Sequence, residues 1–216
     1  VTQKEDFEKD NRKKLMSRIA TGDWDAVVVA HSSFTRLPMS EEAIQEFMHR
    51  QLQELEDAIR ATRQEEGRRS RSVKEMEKTK KRLEAKLQAR LDREHKDPGV
   101  TFEELGVDQL FVDEAQQFKN LFFVTKMQRI AGLPQTDSLR AFDLFLKIQY
   151  LQRLNNGAGV TFATGTPISN TIAEMFTMQR YLSLAAMKED GIDSFDAWAS
   201  NFGDVVTRLE LSQDGS

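Results

Sequence analysis

Two apolar, β-rich runs in this chain end abruptly in small or acidic polar residues. Leu110-Phe111-Val112 runs into Asp113-Glu114-Ala115-Gln116, and Val160-Thr161-Phe162 runs into Ala163-Thr164-Gly165-Thr166-Pro167. Buried parallel strands deliver reactive groups to the carboxyl edge of an open α/β sheet in this way. Between them, Thr136 or Asp137 is expected to cap a helix running to about Leu154, with Leu139, Phe142, Phe145, Ile148, Leu151 and Leu154 as its apolar positions. Such a helix permits a crossover between parallel strands. The fold class expected is therefore α/β.

The second strand end predicts a tight turn at Gly165, then Thr166 as N-cap with Pro167 at the first helical position. In the helix that follows, Ile168, Ile172, Met175, Phe176, Gln179 and Leu182 recur at helical spacing and are expected to pack onto the sheet. Gly165 and Pro167 serve the turn. The hydroxyls of Thr164 and Thr166 are the better candidates for sensing a bound nucleotide.

The acidic pair suits phosphoryl transfer to water, which needs a Mg²⁺ near the β- and γ-phosphates and a group that orients or deprotonates the water. Asp113 fits the first role, through metal-bound water, and Glu114 the second. At a strand end the chain is turning, so neighbouring carboxylates can serve different atoms of one substrate. An acidic pair opening a helix, where acids favour the amino-terminal dipole, accounts for the same dipeptide.

Asp113 to Asn120 resembles motif II of Swi/Snf-type superfamily-two helicases, and Ala163 to Asn170 resembles their motif III. Phe118-Lys119-Asn120-Leu121-Phe122-Phe123, Lys126-Met127 and Met178-Gln179-Arg180-Tyr181-Leu182 are similar to the helicase part of large phage and plasmid proteins that fuse an adenine-specific DNA methylase to a helicase. The match covers roughly residues 17 to 37 and 100 to 185. The resemblance implies a partial RecA-like lobe of the P-loop NTPase type in an ATP-dependent motor on double-stranded DNA. Asp113 would serve Mg²⁺, Glu114 would be the catalytic carboxylate, and Thr164, Gly165 and Thr166 would lie in the coupling loop. Gln116 stands where these relatives commonly have His. An amide keeps a coupling hydrogen bond and removes the titration His would bring.

No G-x-x-x-x-G-K-[ST] phosphate loop occurs in the sequence, and the chain ends soon after the motif III helix. These residues alone are therefore expected to hydrolyse no ATP, and the phosphate-loop segment, a second RecA-like lobe and a possible methyltransferase domain are expected partners. No Asn/Asp-Pro-Pro-aromatic methyltransferase motif is present. Zero cysteines exclude a disulfide framework and a cysteine zinc site. No metal-ligand spacing connects His31, His49 and His95. With no signal peptide and no run approaching roughly 20 apolar residues, the expected location is the cytoplasm, with no membrane partner.

Residues 1–39 are expected to begin the lobe. Phe7 to Ile19 reads as a charged helix ending near Gly22, and Trp24 to Ala30 as a buried strand. Beyond it, Ser32, Ser33 and Arg36 are candidates for phosphate contact, which the family resemblance puts on the nucleic-acid side; His31 reads as a hydrogen-bonded edge residue.

Residues 40–96 read as an inserted antiparallel helical hairpin. Ser40 starts the first arm, with Ile44, Met48, Leu52, Leu55 and Ile59 as its stripe; Val73, Met76, Leu83, Leu87 and Leu91 follow the Gly67-Arg68-Arg69-Ser70 break. Each arm of about 25 residues would reach on the order of 37 Å, re-entering through Asp97-Pro98-Gly99. Its second half is basic while the whole chain has a formal charge of -4. Arg68, Arg69 and Arg71 at the break are candidate nucleic-acid contacts; a solvated face laced with i,i+4 pairs such as Glu77 with Lys81 is the alternative.

Residues 97–185 then complete the lobe with motifs II and III. Lys126 and Arg129 are further possible DNA contacts there, before the loop Gly132-Leu133-Pro134-Gln135. Residues 186–216 are a C-terminal helix, with Phe195, Trp198 and Phe202 at helical spacing, and a tail. Two function classes stand. One is a fragment of the first motor lobe of a DNA-dependent ATPase. The other is a non-catalytic DNA- or protein-binding module that uses an ATPase-like scaffold and works through the hairpin.

Overall fold

The computed structural model describes residues 6, 8–67, 70–94, 100–123, 125, 138–169 and 171–204. Its helices are α1 (Lys9–Thr21), α2 (His31–Phe34), α3 (Glu41–Glu66), α4 (Arg71–Glu94), α5 (Leu139–Leu154), α6 (Ile172–Glu189) and α7 (Phe195–Phe202); its strands are β1 (Leu110–Val112) and β2 (Val160–Phe162). Short 3-10 turns occupy Glu103–Leu105 and Ala115–Phe118.

The two motif-bearing strands pair in parallel, Leu110 opposite Val160 and Val112 opposite Phe162. Backbone bonds carry the pairing past the strand ends: Ala163 N donates to Val112 O at 2.9 Å and Ala115 N to Ala163 O at 3.1 Å. The two polar ends are thus locked side by side. Alternation sends Val112 into the core and leaves Phe111 70% exposed on the opposite face. Among the described residues these strands form a two-stranded sheet in a mostly helical chain, which is consistent with the α/β class.

Helix α5 joins the strands and forms the centre of the core. Ser138 caps it, its hydroxyl accepting from Ala141 N at 3.4 Å; Thr136 and Asp137 lie outside the described residues. Ala141, Leu144, Phe145, Leu146, Ile148 and Leu151 are buried, while Leu139 and Leu154 at the two ends are exposed. Tyr181 of α6 is fully buried against it, with its hydroxyl 2.9 Å from Ala141 O and 3.1 Å from Phe118 O. Burial holds that hydroxyl well above its ordinary pKa.

The strand expected over residues 24–30 is not formed. That run lies outside the sheet, with Trp24, Val27 and Val28 exposed and Val29 packed against the core. A run of β-branched residues becomes a strand only beside an edge to pair with. Trp24 instead folds back to donate its indole N–H to Arg18 O at 3.0 Å, over the end of α1.

Helix α6 also departs from expectation, beginning at Ile172 with Thr171 as N-cap. Ala173, Phe176, Thr177, Arg180 and Tyr181 form its buried face; Ile172, Met175 and Leu182, with Ile168 before the helix, are exposed. The buried stripe includes a threonine and an arginine, so hydrophobicity alone selects the neighbouring face. Arg180 is accommodated by donating to Phe122 O at 3.0 Å and by lying over the Phe145 and Phe176 rings. Helix α7 packs here through Phe195 and Trp198, while Phe202 is exposed.

The hairpin forms from α3 and α4. Ser40 caps α3 by accepting from Ala43 N at 3.2 Å, and Gly67 ends it at φ 87°, a conformation that suits glycine. Near its base Phe47 meets the Phe142 and Phe145 rings of α5. Farther out Leu55, Ile59, Val73 and Met76 form a small core of their own. Arg68, Arg69, Asp97-Pro98-Gly99 and the side chains of Leu87 and Leu91 lie outside the described residues. No described helix is long and apolar enough to cross a membrane.

Candidate functional site

Glu114 takes the left-handed conformation, φ 50° and ψ 44°, as the chain leaves β1 for the 3-10 turn. For a residue with a Cβ this costs roughly 1–2 kcal/mol, and such positions concentrate at functional sites. The turn places two exposed acidic side chains side by side at the strand end. Asp113 Oδ1 accepts from Glu114 N at 3.0 Å, which fixes its carboxylate.

Gln116 extends the site across to the second strand end. Its amide nitrogen donates to Glu114 Oε2, and its carbonyl oxygen accepts from the Thr164 hydroxyl. Thr164 Oγ1 in turn accepts from Thr166 N at 3.1 Å. Glu114, Gln116, Thr164 and Thr166 therefore form one hydrogen-bonded series running from the end of β1 to the end of β2. The amide uses a donor and an acceptor at once.

Sequence reasoning gave Lys119, Ser169 and Glu174 no role, yet they make a second bridge. Lys119 Nζ pairs with Glu174 Oε1 at 2.9 Å and donates to the Ser169 hydroxyl, while Glu174 Oε2 accepts from Ser169 N at 2.6 Å. The family-like stretches containing Lys119 and Ser169 were the available signal, but their contact joins positions 50 residues apart. These bonds also explain why Thr166 does not cap a helix. The Thr164 hydroxyl takes the Thr166 N–H and the Glu174 carboxylate takes the Ser169 N–H, so neither amide enters a helical ladder. Gly165 and Thr166 are exposed, and a Cβ at Gly165 would meet nothing within 4 Å. Gly165 does not have a positive φ.

The next glutamine faces the other way. Gln117 Oε1 lies 3.4 Å from His31 Nδ1, and Arg140 Nη2 donates to Gln117 O at 3.1 Å. His31 also meets the Phe118 ring edge-on at 5.1 Å; it opens α2 rather than standing at a strand edge, because the strand expected before it does not form. The other end of α2 is held by Lys147, whose Nζ donates to Phe34 O at 3.0 Å and to Asp143 Oδ2 at 2.6 Å.

Among the candidate phosphate contacts, Ser32 and Arg36 are exposed, but Ser33 is buried and is not available to a ligand. Arg71 is exposed and paired with Glu75 at 3.3 Å. Lys126, Arg129 and the loop at residues 132–135 lie outside the described residues.

The chain is 27% identical over 208 residues to Defense against restriction protein B of Escherichia phage P1. That alignment covers 92% of this chain and 9% of the phage protein. No solved structure matches. A family model described as a probable helicase domain matches residues 1–214, and the chain belongs to that family.

Proposed function

We propose that this chain is the part of the first, RecA-like lobe of a DNA-dependent ATPase that joins the hydrolytic motif II to the coupling motif III. The observation that carries the reading is the Gln116 amide bonded to Glu114 on one side and Thr164 on the other. An acidic pair that merely opened a helix would need no such connection to a second strand end. Membership of a helicase family supports the same class. The Swi/Snf-type assignment rests on the motif resemblance, as does attachment to a DNA methylase. The phage relative's name supports a setting of defense against restriction. We place the complete motor in the cytoplasm, with double-stranded DNA, a phosphate-loop segment and a second lobe as partners.

Mg-ATP, when bound, supplies the phosphoryl group and the charge that the metal neutralises. Asp113 fits Mg²⁺ because this ion keeps several waters and takes few protein carboxylates, and a single exposed carboxylate meets that need. Glu114 accepts a proton from the attacking water or orients it. Gln116 holds Glu114 and passes any shift in its position to Thr164.

Thr164→Val keeps the side-chain shape and removes the hydroxyl. In the full-length protein, ATP turnover without DNA is expected to stay near wild type while stimulation by duplex DNA falls about 5- to 10-fold, the value of one hydrogen bond. Steady-state rates at saturating ATP and DNA check this. Undiminished stimulation would remove the coupling role from Thr164.

A further inference from the structure

Among the described residues, the hairpin's cations from Arg60 to Arg82 divide into two groups. Arg60 pairs with Asp57, Arg63 with Glu77 across the hairpin, Arg71 with Glu75, and Lys80 with Glu56 and Glu84. Glu77, which i,i+4 spacing would assign to Lys81, is thus taken by the opposite arm. Lys74, Lys78, Lys81 and Arg82 are all exposed, and among the described residues their side chains make no ion pair. At i, i+4, i+7 and i+8 they share one face of α4.

We propose that this row is a docking surface for the phosphate backbone of double-helical DNA, separate from the motif II and III corner. Lys74 to Arg82 spans about 12 Å along the helix axis, and duplex DNA carries one negative charge per about 1.7 Å of its axis. A row of unneutralised cations on a stiff support meets several phosphates without reorganising. The cross-arm pairs and the core of Leu55, Ile59, Val73 and Met76 stiffen the arm. Salt bridges from Glu46 to Arg153 and from Glu54 to Lys188 fix α3 to the lobe. Duplex DNA is favoured over a membrane because the apolar face of α4, including Val73, Met76 and Leu83, is already buried. It is favoured over a single strand because no aromatic side chain is interleaved with the row. The surface does not depend on ATP hydrolysis.

The test is fluorescence anisotropy of a labelled duplex of about 20 base pairs titrated with the 216-residue chain at salt between about 50 and 200 mM. Three proteins are compared: wild type, Lys74→Ala/Lys78→Ala/Lys81→Ala/Arg82→Ala, and a control, Arg50→Ala/Arg60→Ala, which removes ion-paired cations equal in number to half of the row and leaves the bridges from Glu46 to Arg153 and from Glu54 to Lys188 in place. The row variant is expected to lose at least about tenfold in affinity at low salt, with the slope of log K against log salt reduced by about 3 to 4. The control is expected to stay within about twofold, since those charges already have partners. The half-row variants Lys74→Ala/Lys78→Ala and Lys81→Ala/Arg82→Ala should each remove about half of the slope change, which separates a contact effect from loss of fold. Four results would overturn the proposal: no duplex binding by wild type, unchanged binding by the row variant, an equal loss in the control, or binding to phosphatidylserine vesicles without binding to duplex.

Discussion

Glu114→Gln is expected to lower ATP turnover by the full-length protein about 10²- to 10⁴-fold, the usual contribution of a positioned acid or base, while ATP binding persists. The substitution is informative because it leaves the geometry intact. The carbonyl oxygen of the introduced amide can still accept from the Gln116 amide, so the connection to Thr164 survives, and the left-handed backbone is no worse for Gln than for Glu. Only the negative charge and the proton-accepting oxygen are lost. Single-turnover hydrolysis and equilibrium ATP binding measured side by side check this. A fall of less than about tenfold would assign Glu114 to the turn alone.

The second large effect is on stability. Lys147 and Asp143 are both buried on α5, with Nζ 2.6 Å from Oδ2. Lys147 also holds Phe34 O and lies 4.4 Å from the centroid of the Phe34 ring. Lys147→Ala removes the cation and leaves a buried carboxylate behind, which typically costs about 3–5 kcal/mol, a large share of the roughly 5–15 kcal/mol that holds a domain folded. Replacing both members with apolar residues, Asp143→Leu/Lys147→Met, is expected to recover most of the loss, because the desolvation cost is then removed along with the attraction. Urea melts of the three chains measure this. A single variant within about 1 kcal/mol of wild type would mean that water reaches the pair.

This pair has a structural consequence for the site. It fixes one end of α2, while His31 at the other end meets Gln117 in the turn after β1, which Arg140 also holds. Arg140, Asp143 and Lys147 fall at i, i+3 and i+7 on α5, so a single helix face aligns α2 with the turn after β1.

Much of this was legible in the sequence where local rules decide the outcome. Ser40, Gly67 and the period of Ile44, Met48, Leu55 and Ile59 specify the first hairpin arm through capping and apolar spacing. The abrupt ends of Leu110–Val112 and Val160–Phe162 specify two strand ends. Their lateral pairing follows because buried backbone groups need partners. What was not legible depends on contacts distant in the chain. The run from Trp24 to Ala30 has strand composition, but whether it pairs depends on an edge that no local pattern reveals. The buried face of α6 is disguised by Thr177 and Arg180, which are polar by residue type yet buried in place. The unpaired cations among the hairpin's described residues emerge only after its acids are assigned, and two of those assignments join residues 14 and 24 positions apart. The Lys119, Ser169 and Glu174 bridge is of the same kind.

Steady-state ATP hydrolysis by the full-length protein in the presence of Mg²⁺, with and without duplex DNA, tests the central claim most directly. The account predicts turnover above background that rises when duplex is added. Turnover no greater than a protein-free blank under both conditions would contradict it.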